Sequence, residues 1–245
     1  MGMTVKDVVR QFCPPILWSG AAALRRRAVS EPGPLPARCA AGASPSEQDL
    51  AIYWDEEWAE ILEHWGEGNA WSEIQLLMMN CRGKVLDVAC GTGRTMSILA
   101  RFADIEITGC DISDMLIGKA RDRGIDPERL VLGDATRMAF PDNSFDYAYS
   151  IGSLEHFTED GLAKVIGECW RVTTRSSFHM VPIARDGRDH GWIKTTQSYF
   201  NNSVEWWCGK FGARYDTVQV LDSSWSDAIS VGKWFACVKS TGPAT

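Results

Sequence analysis

Between residues 84 and 94 the chain reads KVLDVACGTGR, and twenty residues past Gly91 an acid, Asp111, closes the segment ITGCD. A short apolar run ends in Asp87, turns through Gly91 and Gly93, and leads into an amphipathic stretch and a second apolar run. Glycines at such a turn let the backbone approach a ligand closely, and a carboxylate at the next strand end can accept from both hydroxyls of a ribose. The chemistry on offer is the binding of an adenosine-bearing cofactor. Asp134 closes a third apolar run, and Glu155-His156 follows a fourth. Imidazole titrates near neutral pH, so His156 is the candidate general base, with Glu155 as its neighbour. A structural role for the pair is the competing reading.

These residues need a frame. Runs at 84–89, 105–110, 130–132, 145–151 and 178–183 read as strands, with helical periodicity near 94–103, after Ser113, at 159–171 and at 196–211. Two last runs, 215–221 and 231–238, have no helix between them, so they pair antiparallel. The expected fold is α/β: a doubly wound, seven-stranded, mostly parallel sheet with a reversed last strand. Trp54, Trp58, Ile61, Leu62 and Trp65 recur at helical intervals ahead of the first strand. A helix packed on the core explains that stripe most simply, and a lid over a ligand explains it more sharply.

Composition narrows the function. The 245 residues carry a net charge of −7, which excludes a general nucleic-acid footprint. Eight scattered cysteines without a CxxC pair read as reduced cytosolic thiols. Through residue 40 the balance is instead +4, leaving −11 for the rest. The expected organisation is a basic appendage over 1–46 and a catalytic domain over 47–240 with cap helices at its start. The appendage reads as a disordered tail, a transit peptide, or a peripheral membrane contact through residues 1–27, where Trp18 precedes Arg25–Arg27.

The series VLDVACGTGR, ITGCDIS, VLGDATRMAFPDNSFDYAYS and GSLEHF resembles class I S-adenosylmethionine-dependent methyltransferases, most closely the broad type-11 group, over roughly 80–240. The resemblance implies a Rossmann-like methyltransferase fold and S-adenosylmethionine as cofactor. It implies a cofactor site of Asp87, Ala89, Cys90, Gly91, Gly93, Asp111, Ile112, Met115, Asp134, Ala135, Ser150 and Ile151. Ala89 stands where the family's first glycine usually does, and TTRSS at 173–177 replaces the usual turn after the helix. A dinucleotide site would want a third glycine, and Met96 is bulky there. Metal-using relatives place a glutamate three positions before the Glu-His pair; here Gly152 stands there, so no metal is expected.

The acceptor is the open half. His179, His190, Trp192 and Tyr199 are the candidate acceptor contacts, in a stretch whose tryptophans and amides suit a polyhydroxyl ligand. A Trp-rich core helix explains that stretch equally well. The basic opening resembles enzymes of bacterial surface-polysaccharide clusters, which implies a sugar hydroxyl in glycan biosynthesis as acceptor. A diffusible small molecule methylated on O or N, and an inactive cofactor-binding partner of a membrane-associated assembly, are the alternatives. The oligomeric state is not predicted.

Overall fold

The computed structural model describes residues 50–193 and 197–239, so the expected appendage over 1–46 lies outside the described residues. Strand β1 (Gly83–Val88) runs through the middle of the sheet, and its last four residues, Val85 to Val88, are buried. That burial on both faces is what a parallel strand covered by helices requires. β2 (Ile105–Asp111) and β4 (Phe145–Ile151) flank β1 in parallel, and β3 (Leu130–Leu132) lies outside β2. β5 (Thr173–Ala184) pairs with β4, and β9 (Ser230–Val238) enters antiparallel between β5 and the edge strand β8 (Thr217–Ser226). The sheet order is β3-β2-β1-β4-β5-β9-β8. It is the mostly parallel α/β sheet expected, with the reversed last strand one place inside the edge.

Helices cover both faces. Leu162, Val165, Ile166 and Cys169 of α5 (Glu159–Val172) pack with Leu86, Val88, Phe235, and Trp207 and Phe211 of α6 (Val204–Gly212). On the other face Ile74 and Met78 of α2 (Ala70–Met78) and Leu99 of α3 (Arg94–Leu99) meet Val85, Tyr149 and Trp234. α4 (Asp114–Asp122) contributes Ile117 beside Cys90 and Met96. Ser113 caps α4, its hydroxyl accepting from the Leu116 N–H at 3.2 Å.

Two local expectations are corrected. Residues 173–177 form no separate turn: β5 starts at Thr173, whose hydroxyl donates to the Cys169 carbonyl at 2.7 Å, and Ser176 and Ser177 pair with Val238 and Cys237. Cross-strand pairing absorbs a polar run with no strand signal of its own. The helix expected over 196–211 begins only at Val204, because Ser203 caps it and accepts from the Trp206 N–H at 3.2 Å. Tyr199–Phe200 (β7) instead pair with Trp192–Ile193 (β6) in a two-stranded ribbon. Among the described residues no helix is long and apolar enough to cross a membrane.

Candidate functional site

Two adjoining pockets open at the carboxyl ends of β1, β2 and β4, where open α/β sheets bind ligands. The first is lined by Asp87, Ala89, Cys90, Gly91, Asp111, Ile112, Asp134, Ala135 and Ile151, among others. The turn between β1 and α3 is held by backbone conformation: Ala89, Gly91 and Gly93 have φ of 57°, 54° and 69°. A Cβ on Gly93 would stand 3.0 Å from the Ala120 Cβ, so that glycine serves helix packing and does not line the pocket.

Two buried carboxylates face this turn. Asp111 accepts from the Gly91 N–H through Oδ2 and from the Ser113 N–H through Oδ1, both at 2.9 Å. It therefore ties the turn to the start of α4 while lining the pocket. Burial raises its pKa, against the pull of those N–H donors. Asp87 accepts from the Tyr149 hydroxyl at 2.7 Å. Burial pushes its carboxyl up to about 8, with Asp111 adding repulsion and the Tyr149 hydroxyl opposing. A cation in this pocket would favour the ionised form of both. Asp134 is exposed, its Oδ1 accepting from the Thr136 N–H and hydroxyl at 2.8 Å.

The second pocket, about 310 Å³, is walled by Trp58, Trp65, Tyr199 and Trp225 over Met180 and Pro182, with Glu155 and Asp227 as its acids. The two pockets share Trp58, Leu62, Trp65, Gly152, His156 and Gln197. His156 thus sits on their common boundary. Its Nδ1 lies 2.8 Å from the Ser198 carbonyl, an acceptor only, so Nδ1 carries the proton and Nε2 keeps its lone pair. Glu155 Oε1 is 3.6 Å from that Nε2. Burial moves the pair in opposite directions, Glu155 up to about 8 and His156 down to about 4. Both are neutral in that limit, and ionisation of Glu155 would favour the imidazolium.

The aromatic stripe before β1 serves these pockets. α1 (Glu56–Leu62) buries only Ala59 and turns Trp58 and Leu62 toward the ligand space, as the lid reading expects, while Trp65 lines the pockets and also packs on the core. The cap is tied to α4 by a Glu63–Arg123 ion pair, by Lys119 to Glu56 at 2.5 Å, and by the Trp54 indole N–H to Asp114 at 2.7 Å.

Several expected contacts lie elsewhere. His179 is fully buried, bridged between Ser150 and Ser177 at 2.8 Å each and stacked on Phe211 at 5.2 Å. Burial drives it down to about 3, so it is a neutral core histidine, and Ser150 is its partner rather than a pocket wall. His190 pairs with Asp186 at 2.9 Å on the surface. Trp192 packs edge-on against Phe200 at 4.9 Å in the core. Met115 is absent from the pocket lining, and Leu116, one position on, takes that place. Two of the amides expected to greet a sugar are consumed in folding: Asn202 accepts from the Gly191 N–H at 2.7 Å, and Asn201 and Asn202 are both buried. Tyr199 alone of the four acceptor candidates lines the second pocket.

Sequence reasoning missed Arg94, Trp225 and Asp227, whereas Gln197, an amide of the stretch it singled out, lines both pockets. Arg94 follows the glycine turn directly, and its Nε is buried in the first pocket without a hydrogen-bond partner. That position after the turn was its only signal. Trp225 and Asp227 arrive from the β8–β9 hairpin, about 70 residues along the chain from Glu155, and carried none. Gly152, where metal-using relatives carry a glutamate, has φ 62°, and a Cβ there would stand 3.0 Å from the Trp65 ring. Among the described residues no group of three metal-ligating side chains converges.

Residues 85–176 match the family described as a methyltransferase domain. Among curated proteins, a sterol 24-C-methyltransferase of Neurospora crassa is 36% identical over 127 residues, covering 50% of this chain and 31% of that protein. The chain thus spans about a third of the length of that relative. Among solved structures, a Pyrococcus horikoshii protein aligns with 22% identity and a TM-score of 0.56 over 76% of this chain and 100% of its own. A Haemonchus contortus phosphoethanolamine N-methyltransferase, solved with phosphomonomethylethanolamine and S-adenosylhomocysteine, aligns at 16% identity and a TM-score of 0.61 over 78% of this chain and 59% of its own. The segment 85–176 thus matches a methyltransferase-domain model and lies in the fold those structures share.

Proposed function

We propose that the protein transfers a methyl group from S-adenosylmethionine, held in the first pocket, to an acceptor in the second. The observation that carries this is the common boundary of the two pockets at Gly152 and His156, with strand-end carboxylates on one side and aromatic walls on the other. Asp111 suits the ribose hydroxyls, Asp134 the adenine amino group, and Ile112 and Leu116 the faces of the base. Asp87 suits the ammonium of the methionyl part, and the unpartnered Arg94 Nε suits its carboxylate. When bound, the cofactor would supply an electrophilic methyl carbon and a thioether leaving group. The chain's own contribution is alignment, exclusion of water by Trp58, Leu62 and Trp65, and a place for a proton at His156 Nε2 or Glu155.

A sugar hydroxyl of a glycan precursor is supported by the aromatic walls, since rings pack well on sugar faces. A diffusible small molecule is favoured over it by two observations. Trp192, Asn201 and Asn202, which suggested a sugar, are occupied within the fold, and the second pocket is mostly apolar in lining. Calorimetry with S-adenosylhomocysteine tests the cofactor half. Asp111→Ala should weaken binding about a hundredfold, the loss of roughly two hydrogen bonds to a charged acceptor. Equal binding by the variant would remove the assignment.

A further inference from the structure

Glu155 is 4% exposed, and its Oε2 has no hydrogen-bond partner. A buried carboxyl oxygen left unsatisfied is costly unless something outside the protein answers it. His156 Nε2, 3.6 Å from the other carboxyl oxygen, Oε1, presents a lone pair, because the Ser198 carbonyl holds the proton on Nδ1. In its ionised form this oxygen calls for a donor or a cation, and the second pocket, which Glu155 lines, is the way in.

The rest of the pocket agrees on the cation. Trp58, Trp65, Tyr199 and Trp225 surround the space, with Trp65 and Trp225 edge-to-face at 6.2 Å. The negative faces of aromatic rings attract an organic cation, and more so where water is excluded. Asp227 adds a second carboxylate, and no Lys or Arg is among the described lining residues. Arg185 donates to the Asp227 backbone carbonyl at 2.6 Å and is exposed. Such a wall repels phosphate and carboxylate ligands and gives a neutral polyol nothing that an amine would not receive more strongly.

We propose that the second pocket is an ammonium site: the acceptor is an amine on an apolar body, its cationic head against Glu155 and within the tryptophan–tyrosine walls. This rests on the methyl-transfer reading for its consequence and on the pocket alone for its binding. Burial holds the Glu155 carboxyl up to about 8, and an ammonium beside it favours the carboxylate. A primary or secondary ammonium must lose a proton before its nitrogen can accept a methyl group. The N–H bond breaks with its electron pair remaining on nitrogen, and the proton goes to Glu155.

The test is calorimetric titration of the full chain with phenethylamine and, separately, phenethyl alcohol, with and without S-adenosylhomocysteine. The amine should bind at least about tenfold tighter than the alcohol, a difference of about 1.4 kcal/mol. In Glu155→Gln the preference should shrink to roughly twofold while alcohol binding stays, consistent with loss of the charge alone. Equal affinities in the wild type, an undiminished preference in Glu155→Gln, or binding of neither probe at millimolar concentration overturns the proposal. If Glu155→Gln does not fold, Asp227→Asn takes its place and must lower the preference several-fold. Failure of S-adenosylhomocysteine to bind the wild type removes the methyl-donor reading instead, and the amine preference measured without it still decides this one.

Discussion

Replacing Gly152 by alanine tests the boundary between the two pockets. The residue sits at φ 62°, where an L side chain costs roughly 1–2 kcal/mol. The added methyl would also lie 3.0 Å from Cη2 and Cζ2 of Trp65, so that ring must shift by a few tenths of an ångström. Overpacking of this kind adds roughly 1 kcal/mol or more. Gly187 is the matched control: its φ is 72°, but a Cβ there meets nothing within 4 Å. Gly187→Ala should therefore lose about 1–2 kcal/mol and Gly152→Ala about 2–3 kcal/mol, on the same strain and packing grounds. At roughly 2–4 °C per kcal/mol for a domain of this size, the second variant should melt a few degrees below the first. Differential scanning calorimetry measures both. Because Trp65 walls both pockets, Gly152→Ala should also weaken S-adenosylhomocysteine and acceptor-analogue binding, where Gly187→Ala should not. Equal melting temperatures, or unaltered ligand affinities in Gly152→Ala, would show that Trp65 does not hold the boundary between the pockets.

Ala89 adopts φ 57° without the freedom of glycine, so Ala89→Gly should raise stability by about 0.5–1 kcal/mol, net of the entropy a glycine adds to the unfolded chain; chemical denaturation checks the sign. Asp87 and Glu155 both stand at about 8 in the fold against roughly 4 unfolded, so the folded chain holds the extra protons and their contribution is lost as pH rises through 8. His156 and His179, lowered to about 4 and about 3, act oppositely, and their contribution is lost as pH falls from about 6.5 toward those values. Stability should therefore fall between about pH 6.5 and 8, where only the acids titrate, and Asp87→Asn should flatten that limb of a melting-temperature profile; a rising limb would contradict the assignment. Glu63→Gln breaks the largely buried tie between cap and α4, so limited proteolysis should cut the cap faster in the variant and binding of S-adenosylhomocysteine should weaken several-fold, in line with loss of one partner of an ion pair; identical cleavage rates would show that the cap is held by its apolar contacts alone.

The first pocket was largely legible from the order of residues because its parts lie at strand ends. A strand, a glycine turn and a helix are local events, and Asp87, Asp111 and Asp134 each terminate or follow a run that periodicity identifies. The reversed last strand was legible for the same reason, since a short link between two strands allows only one direction. What failed to be legible depended on which face a side chain took. His179, Trp192 and Tyr199 looked equivalent as acceptor contacts. Only the packed structure turned His179 beneath Phe211 and Trp192 onto Phe200, leaving Tyr199 in the open. Met115 and Leu116 differ by one helical position, about 100° of rotation, and tertiary packing chose the second.

The order of residues alone laid out the first pocket, because a turn of backbone and strand-end acids has its spacing written along the chain. The second pocket was decided only in three dimensions. Trp58 and Trp65 come from ahead of β1, Glu155 from after β4, Tyr199 from a ribbon and Trp225 from the final hairpin. No spacing rule connects them. What brings them together is the burial of apolar faces on a twisted sheet, and what leaves Glu155 Oε2 without a hydrogen-bond partner there is that same packing.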